Sequence, residues 1–287
     1  MIKHLFIAVL VSFSASLSAA DFNTPSVTIH AVTELLPHFQ NKFDQLQSGD
    51  MLLLDLDNTV FREKQLLGTD EWYDYAIHEL LRKYNISRRE ASAQLESLNL
   101  SIKENSEMRL MENRLPDLIL HLQQRGVYVL GLTARHPNLT KTTLRHLATL
   151  GIDFGRSQFP SIRERHVPGL ENDFRFSGGI AFTDGSPKGK ILKFLVEQID
   201  KKPQMIMAVD DRIHHIHTLV ENMLELEIGG HVIHYLKVRE EPAFDPEIAR
   251  VQQQVFEQTG QLLTDQEAVQ RKSCNSLLET NPPQLAF

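Results

Sequence analysis

The chain has 287 residues, a formal net charge of −7 (30 Lys and Arg against 37 Asp and Glu) and one cysteine. That length suits one large domain, or a core domain with an insertion. The mildly acidic balance argues against a protein that neutralises nucleic-acid phosphates with a basic footprint. Lone Cys274 excludes an intrachain disulfide, a four-cysteine zinc site and a CxxC redox pair.

Residues 1–20 have the grammar of a cleavable signal peptide. Lys3 and His4 open it, an apolar or small run follows over 5–17, and Ser18, Ala19 and Ala20 supply small residues for cleavage. The run is short for a bilayer span, which needs about 20 apolar residues. No later segment is long and apolar enough to be a second span. The mature protein is therefore expected to be exported, periplasmic or secreted, without a stable membrane anchor.

Residues 25–46 read as a loop followed by an amphipathic helix. Met51, Leu52, Leu53 and Leu54 form a continuous apolar run, the pattern of a strand buried on both faces of a parallel sheet. It stops at Asp55-Leu56-Asp57-Asn58-Thr59. Residues 62–113 then turn helical and charged, with Asp70 as a cap, a Ser87/Glu90 capping box and a third helical stretch over 102–111. A helix over 116–125 leads to a second buried strand at 127–132, ending in Thr133-Ala134-Arg135. After a helix over 139–150, Gly178-Gly179 mark a small hairpin within 174–182. A helix from Lys188, a strand over 205–209 ending in Asp210-Asp211, a helix over 213–226 and a strand over 231–238 follow. Residues 245–270 are expected to be helical, with a loose tail beyond.

Alternating strands and helices with buried strands imply an α/β fold, a doubly wound, Rossmann-like parallel sheet. Ligands bind such sheets beyond the carboxyl ends of the strands. Asp55 and Asp57, Thr133, and Asp210 and Asp211 are expected at three such ends, with Lys188 at a nearby helix start. In a regular strand Asp55 and Asp57 would face opposite sides; a turn beyond the strand would let both meet one ligand. One carboxylate could attack phosphorus while the other moves protons. Charge on the phosphate would be cancelled by Mg²⁺ on oxygen ligands together with Lys188 and the Thr133 hydroxyl.

These residues resemble the haloacid-dehalogenase-like superfamily. The resemblance rests on DLDNT at 55–59, the strand ending in Thr133, Lys188-Gly189 and VDD at 209–211, in the family's order, and spans residues 50–240. It implies Asp55 as nucleophile and Asp57 as general acid/base, the second acid marking the phosphatase branch. It also implies Mg²⁺ held by Asp55, the backbone carbonyl of Asp57 and Asp210, with Asp211 behind or beside them. Thr133 and Lys188 would grip the phosphoryl oxygens, Lys190 being the competing lysine.

The organisation implied is a core over 21–61 and 114–240, a helical cap inserted over 62–113, and a C-terminal helix and tail over 241–287. The leader, the FSGGIAFTDG segment at 176–185 and the TAR and DDR endings also resemble an uncharacterised secreted group of that superfamily. The expected activity is Mg²⁺-dependent hydrolysis of small phosphomonoesters. Transfer to an acceptor alcohol, or a non-catalytic exported binding or effector role, stands as the alternative. Arg135 and Arg212 compete between substrate contact and surface salt bridging, and His214, His215 and His217 read as solvated or capping rather than as a zinc site. Trp72, Tyr73 and Tyr75 fit either a cap lining or ordinary helix packing.

Overall fold

The computed structural model describes residues 25–162, 170 and 174–280, with side chains to residue 273. The expected signal peptide over 1–20 and the Cys274 side chain lie outside the described residues. The chain opens with β1 (Val27–Val32) and α1 (Leu36–Phe43), then β2 (Met51–Leu54) and β3 (Phe61–Glu63). Two helices follow, α2 (Asp70–Tyr84) and α3 (Arg88–Asn105), before β4 (Met108–Leu110), α4 (Leu115–Gln124) and β5 (Tyr128–Thr133). Next come α5 (Thr140–Thr149), the hairpin β6 (Arg175–Ser177) and β7 (Ile180–Phe182), α6 (Lys188–Val196) and β8 (Met205–Asp210). The last elements are α7 (Ile213–Glu225), β9 (Gly229–Tyr235), α8 (Pro246–Thr259) and α9 (Asp265–Thr280).

Seven strands form one sheet in the order β1-β9-β8-β2-β5-β7-β6, parallel at every pairing except the β6–β7 hairpin. The fold is mixed α/β with a mostly parallel central sheet. β2 lies at its centre because every one of its four side chains is apolar and can be buried on either face. Leu52 and Leu54 join an apolar cluster with Phe39 and Phe43 of α1 and Leu118 and Leu122 of α4. Met51 and Leu53 join another, with Ile191 and Leu195 of α6 and Ile216 and Leu219 of α7. Helices therefore cover both faces. Asp50, buried at the start of β2, accepts the backbone N–H groups of Gln47, Gln204 and Met205, which ties β8 to β2 in register.

Several local expectations change. Residues 27–32 form an edge strand along β9 rather than a loop. α3 runs unbroken to Asn105, and 108–110 is a strand paired with β3, not a third helical stretch. The N-cap of α2 is Thr69, whose hydroxyl accepts from Trp72 N–H, so Asp70 is the first helical residue. The Ser87/Glu90 capping box forms as its spacing predicts.

The C-terminal segment is a pair of helices with a structural task. Ala249 and Phe256 of α8 share a core with Leu67, Trp72, Ile77, Ala91, Leu95 and Ile102 around α2 and α3. Buried Gln252 accepts from Leu67 N–H and donates to the Leu263 carbonyl and Asp265. Trp72 Nε1 donates to Gln253, the Tyr75 hydroxyl accepts from Arg250, and the Tyr73 hydroxyl pairs with Ser92. Helix packing accounts for all three aromatic residues.

Gly189 explains why glycine follows Lys188. A Cβ there would lie 2.0 Å from the Thr218 carbonyl oxygen on α7, so any side chain would push α6 and α7 apart. Gly189→Ala is expected to destabilise the fold by roughly 3 kcal/mol, read as the loss in a urea unfolding curve.

Candidate functional site

β8, β2 and β5 are neighbours in the sheet, so their carboxyl ends bring Asp210, Asp55 and Thr133 side by side. Asp55 follows β2 directly, with its N–H bonded to the Val209 carbonyl of β8. The chain then turns. The Leu56 carbonyl accepts from the N–H groups of Thr59, Val60 and Phe61, and Asn58 takes a left-handed conformation (φ 59°) that asparagine tolerates. This turn separates the two carboxylates into environments of opposite charge.

Around Asp55 the site is acidic. Lys188, at the first position of α6 and 1% exposed, donates to Asp55 Oδ1 at 2.5 Å and Asp210 Oδ2 at 2.6 Å. Oxygen atoms of Asp55, Asp210 and Asp211 all lie within 4.8 Å of one another. Lys188 is thus the lysine brought into the site; Lys190 is exposed. Burial and the neighbouring charges of Asp55, Asp70 and Asp210 push the Asp211 carboxyl up to about 9. Burial raises Asp55 to about 7, with Asp210 and Asp57 adding to it against Lys188. Burial also works against Asp210, but Lys188 and His215 outweigh it and hold that carboxyl at about 2.

Around Asp57 the site is cationic. Arg135 makes a two-pronged contact, Nε to Oδ2 at 2.8 Å and Nη2 to Oδ1 at 2.7 Å. Lys103 Nζ lies 3.3 Å from Oδ1 and 2.5 Å from Glu63 Oε1. Arg135 is further held by Thr143 and lies over the Phe61 ring at 4.7 Å. Burial opposes ionisation of Asp57, yet the charges of Arg135 and Lys103 prevail and hold its carboxyl well below the usual range. Arg135 is therefore a buried partner of Asp57, not a surface ion pair. Arg212 is half-exposed and bridges to Asp70 at 2.8 Å.

Thr133 is fully buried, and its hydroxyl accepts from Arg135 N–H at 3.2 Å. The hydroxyls of Thr59, Thr183 and Ser186, on the turns beside Asp57, Thr133 and Lys188, are buried without a hydrogen-bond partner among the described residues. Such groups are costly to leave unpaired, and an oxygen-rich ligand would relieve them. The histidines divide: His215 Nδ1 lies 3.1 Å from Asp210 Oδ1 and 3.2 Å from Oδ2, so it belongs to the site. His214 stacks edge-on against it, with ring centroids 4.1 Å apart. His215, Lys103 and the pairing of Arg135 with Asp57 were not legible as site features. Lys103 lies 46 residues from Asp57, and no local pattern joins them.

The donor set fits a hard divalent cation. Its candidate ligands are carboxylate oxygens, and three carboxylates outnumber the single ammonium that touches two of them. This imbalance has a measurable consequence. The folded protein holds protons on Asp211 and Asp55 up to about pH 9 and 7, whereas the unfolded chain releases them near pH 4. The folded state thus carries the excess of protons between those limits, and stability falls as pH rises through them. Asp57, shifted the other way, acts only below that window. In EDTA, the melting temperature is expected to fall by about 5 °C or more from pH 7 to pH 9, above the range in which histidines held low by burial, such as His146, act in the opposite sense. Mg²⁺ should flatten that slope, and Asp211→Asn should remove much of it.

A family model described as a protein of unknown function (DUF2608) matches residues 29–269. The chain belongs to this family. Among relatives, a "Putative outer membrane protein" of Chlamydia trachomatis serovar D is 23% identical over 202 residues, covering 70% of this chain and 75% of the relative. An uncharacterized protein of Rickettsia prowazekii is 26% identical over 251 residues, covering 85% and 89%. A solved structure titled as a "Putative Phosphatase" from Clostridium difficile matches 68% of this chain and 98% of its own, at 12% identity and a TM-score of 0.41. Among the described residues no helix is long and apolar enough to cross a membrane.

Proposed function

We propose that the protein is an exported, Mg²⁺-dependent phosphatase of the haloacid-dehalogenase-like type, acting on phosphomonoesters through an aspartyl-phosphate on Asp55. One observation carries the reading: a buried Asp55 flanked by Lys188, Asp210 and Asp211 at adjacent strand ends, with a second carboxylate, Asp57, two residues on in a cationic setting. The doubly wound core with α2 and α3 as a cap belongs to the same reading. The N-terminal leader supports export, and the Chlamydia relative's name accords with it.

Asp55, the Asp57 carbonyl, Asp210 and Asp211 would hold Mg²⁺, which when bound cancels phosphate charge and lets one anion approach another. An Asp55 oxygen attacks phosphorus and the ester P–O bond breaks, leaving the alcohol oxygen to take a proton from Asp57. Asp57 then takes a proton from water as that water attacks the phosphorus, releasing phosphate and regenerating Asp55. In the resting arrangement Arg135 and Lys103 hold Asp57 ionised, the form a base needs, so the proton it gives to the leaving alcohol is taken up from solvent before the ester P–O bond breaks. Lys188 and Thr133 bind the non-bridging phosphoryl oxygens, and His215 keeps Asp210 oriented.

The test is phosphate release from a broad phosphomonoester panel by protein lacking residues 1–20, with Mg²⁺ and with EDTA. Release with Mg²⁺ that stops in EDTA is expected. No release from any ester by folded protein that binds Mg²⁺ would overturn hydrolysis and turn the search to an acceptor alcohol or a partner.

A further inference from the structure

Lys103 is a buried cation that the proposed chemistry leaves without a task. It sits in the last turn of α3, where positive charge also suits the helix terminus. Its side chain is 8% exposed, and its ammonium reaches two carboxylates on the other side of the chain turn, Glu63 at 2.5 Å and Asp57 at 3.3 Å. Glu63 lies on β3, 3% exposed, and is also 3.8 Å from Arg135. The four groups form a closed square of alternating charge: Asp57, Arg135, Glu63, Lys103. Burying a lysine is unfavourable unless it is paired on more than one side, so this square is a specific arrangement rather than a solvated charge.

The surrounding elements make Lys103 a mechanical link. β3 leaves the turn that carries Asp57, and β4, which follows α3, returns along β3 with Phe61 opposite Leu110 and Glu63 opposite Met108. The ribbon therefore fixes where α3 ends relative to Asp57. Other contacts seat the same pair of helices. Arg62 bonds both Asn58 and Glu71, and Arg212 of the β8–α7 turn bonds Asp70. Among these, Lys103 touches the carboxylate proposed as general acid/base, whereas Arg212 lies 3.6 Å from Asp211, a proposed Mg²⁺ ligand.

We propose that Lys103 is a positioning residue, which aligns the Asp57 carboxylate only when α2 and α3 are seated on the core. It acts through Asp57 and does not touch substrate. Arg135 grips both oxygens of Asp57 from the turn after β5; Lys103 adds a second cation on Oδ1 from α3 and so ties the place of that carboxylate to the helix. The inference rests on the phosphatase reading for its effect on rate, but its structural part can be read without turnover.

The experiment compares wild type, Lys103→Met, Lys103→Arg, Asp57→Asn and the Asp57→Asn/Lys103→Met double variant. Thermal unfolding checks that each is folded. Lys103→Met is expected to lower kcat about 10- to 100-fold with KM changed less than about threefold, and Lys103→Arg to recover most of the loss. In the Asp57→Asn background, Lys103→Met should add nothing, because the group it aligns is already disabled. Full multiplication of the two losses, or a loss confined to KM, would overturn the proposal. Hydrogen exchange over residues 55–63 is the second measurement, made without substrate. Faster exchange there in Lys103→Met is expected, and unchanged exchange would overturn the proposal whatever the kinetics. Faster exchange in a protein whose wild type releases no phosphate would instead sink the phosphatase reading and leave the link intact.

Discussion

Asp55→Asn is expected to lower phosphate release by about 10³-fold or more while leaving the protein as stable as wild type, within about 1 kcal/mol. The two halves of that expectation have one cause. Asp55 sits among like charges, with Asp210 and Asp211 within 4.8 Å, and burial together with Asp210 already pushes its carboxyl up. Neutralising it removes repulsion while the amide oxygen can still accept from Lys188. Chemistry is then lost without loss of fold. A variant that melts well below wild type would show that Asp55 is a structural anchor. A variant that keeps most of its activity would show that another group attacks phosphorus.

Lys188→Met should behave in the opposite way, losing stability and activity together. The ammonium is the cation in contact with both Asp55 and Asp210, and the whole side chain is buried in a well-packed position below the strand ends. Removing one partner of a buried ionic cluster and leaving the others typically costs about 3–5 kcal/mol. Part of that loss is avoided here, because the acids can take up protons as the pH falls. The destabilisation should therefore be larger at pH 8 than at pH 5. Mg²⁺ should restore part of it, since a divalent ion supplies the missing positive charge. Thermal unfolding at the two pH values, with EDTA and with Mg²⁺, reads both effects. An equal loss at both pH values that Mg²⁺ leaves unchanged would point to lost packing rather than lost charge.

The sheet was legible where strands are buried on both faces. Residues 51–54, 128–133 and 205–210 are continuous apolar runs that end in polar residues, and the structure places them as adjacent parallel strands. β1 escaped because it is an edge strand. Its residues alternate Val27, Ile29, Ala31 with Thr28, His30, Val32, a period-2 signal diluted by exposure on both sides, with Ile29 half exposed. β4 is three residues long and continuous with helical sequence, so only its pairing with β3 reveals it. The helix expected over 245–270 is broken at Gly260, which takes a left-handed conformation (φ 71°) and ends α8.

At the candidate site the residue types and their strand-end positions were legible; the pairings were not. Periodicity says that Asp55 and Asp57 leave a strand end. It does not say that one meets Lys188 and the other meets Arg135 and Lys103. Those partners come from the segment just after β5 and from α3 and α6, joined to the β2 turn only by the folded topology. The same holds for His215, whose contact with Asp210 depends on how α7 starts beyond β8. The C-terminal helices supply a wall to α2 and α3 for an equally non-local reason, the burial of Gln252 on the backbone of Leu67.

The most direct test of the central claim is to trap the covalent intermediate. Asp57→Asn protein, mixed with Mg²⁺ and a reactive phosphate ester, would be quenched in acid and its intact mass and peptide map recorded. One added phosphoryl group on the peptide containing Asp55, absent when Asp55 is also replaced by Asn, is the predicted result. Phosphate release by wild type with no phosphoryl group ever found on Asp55, or with the group found on another residue, would contradict the account.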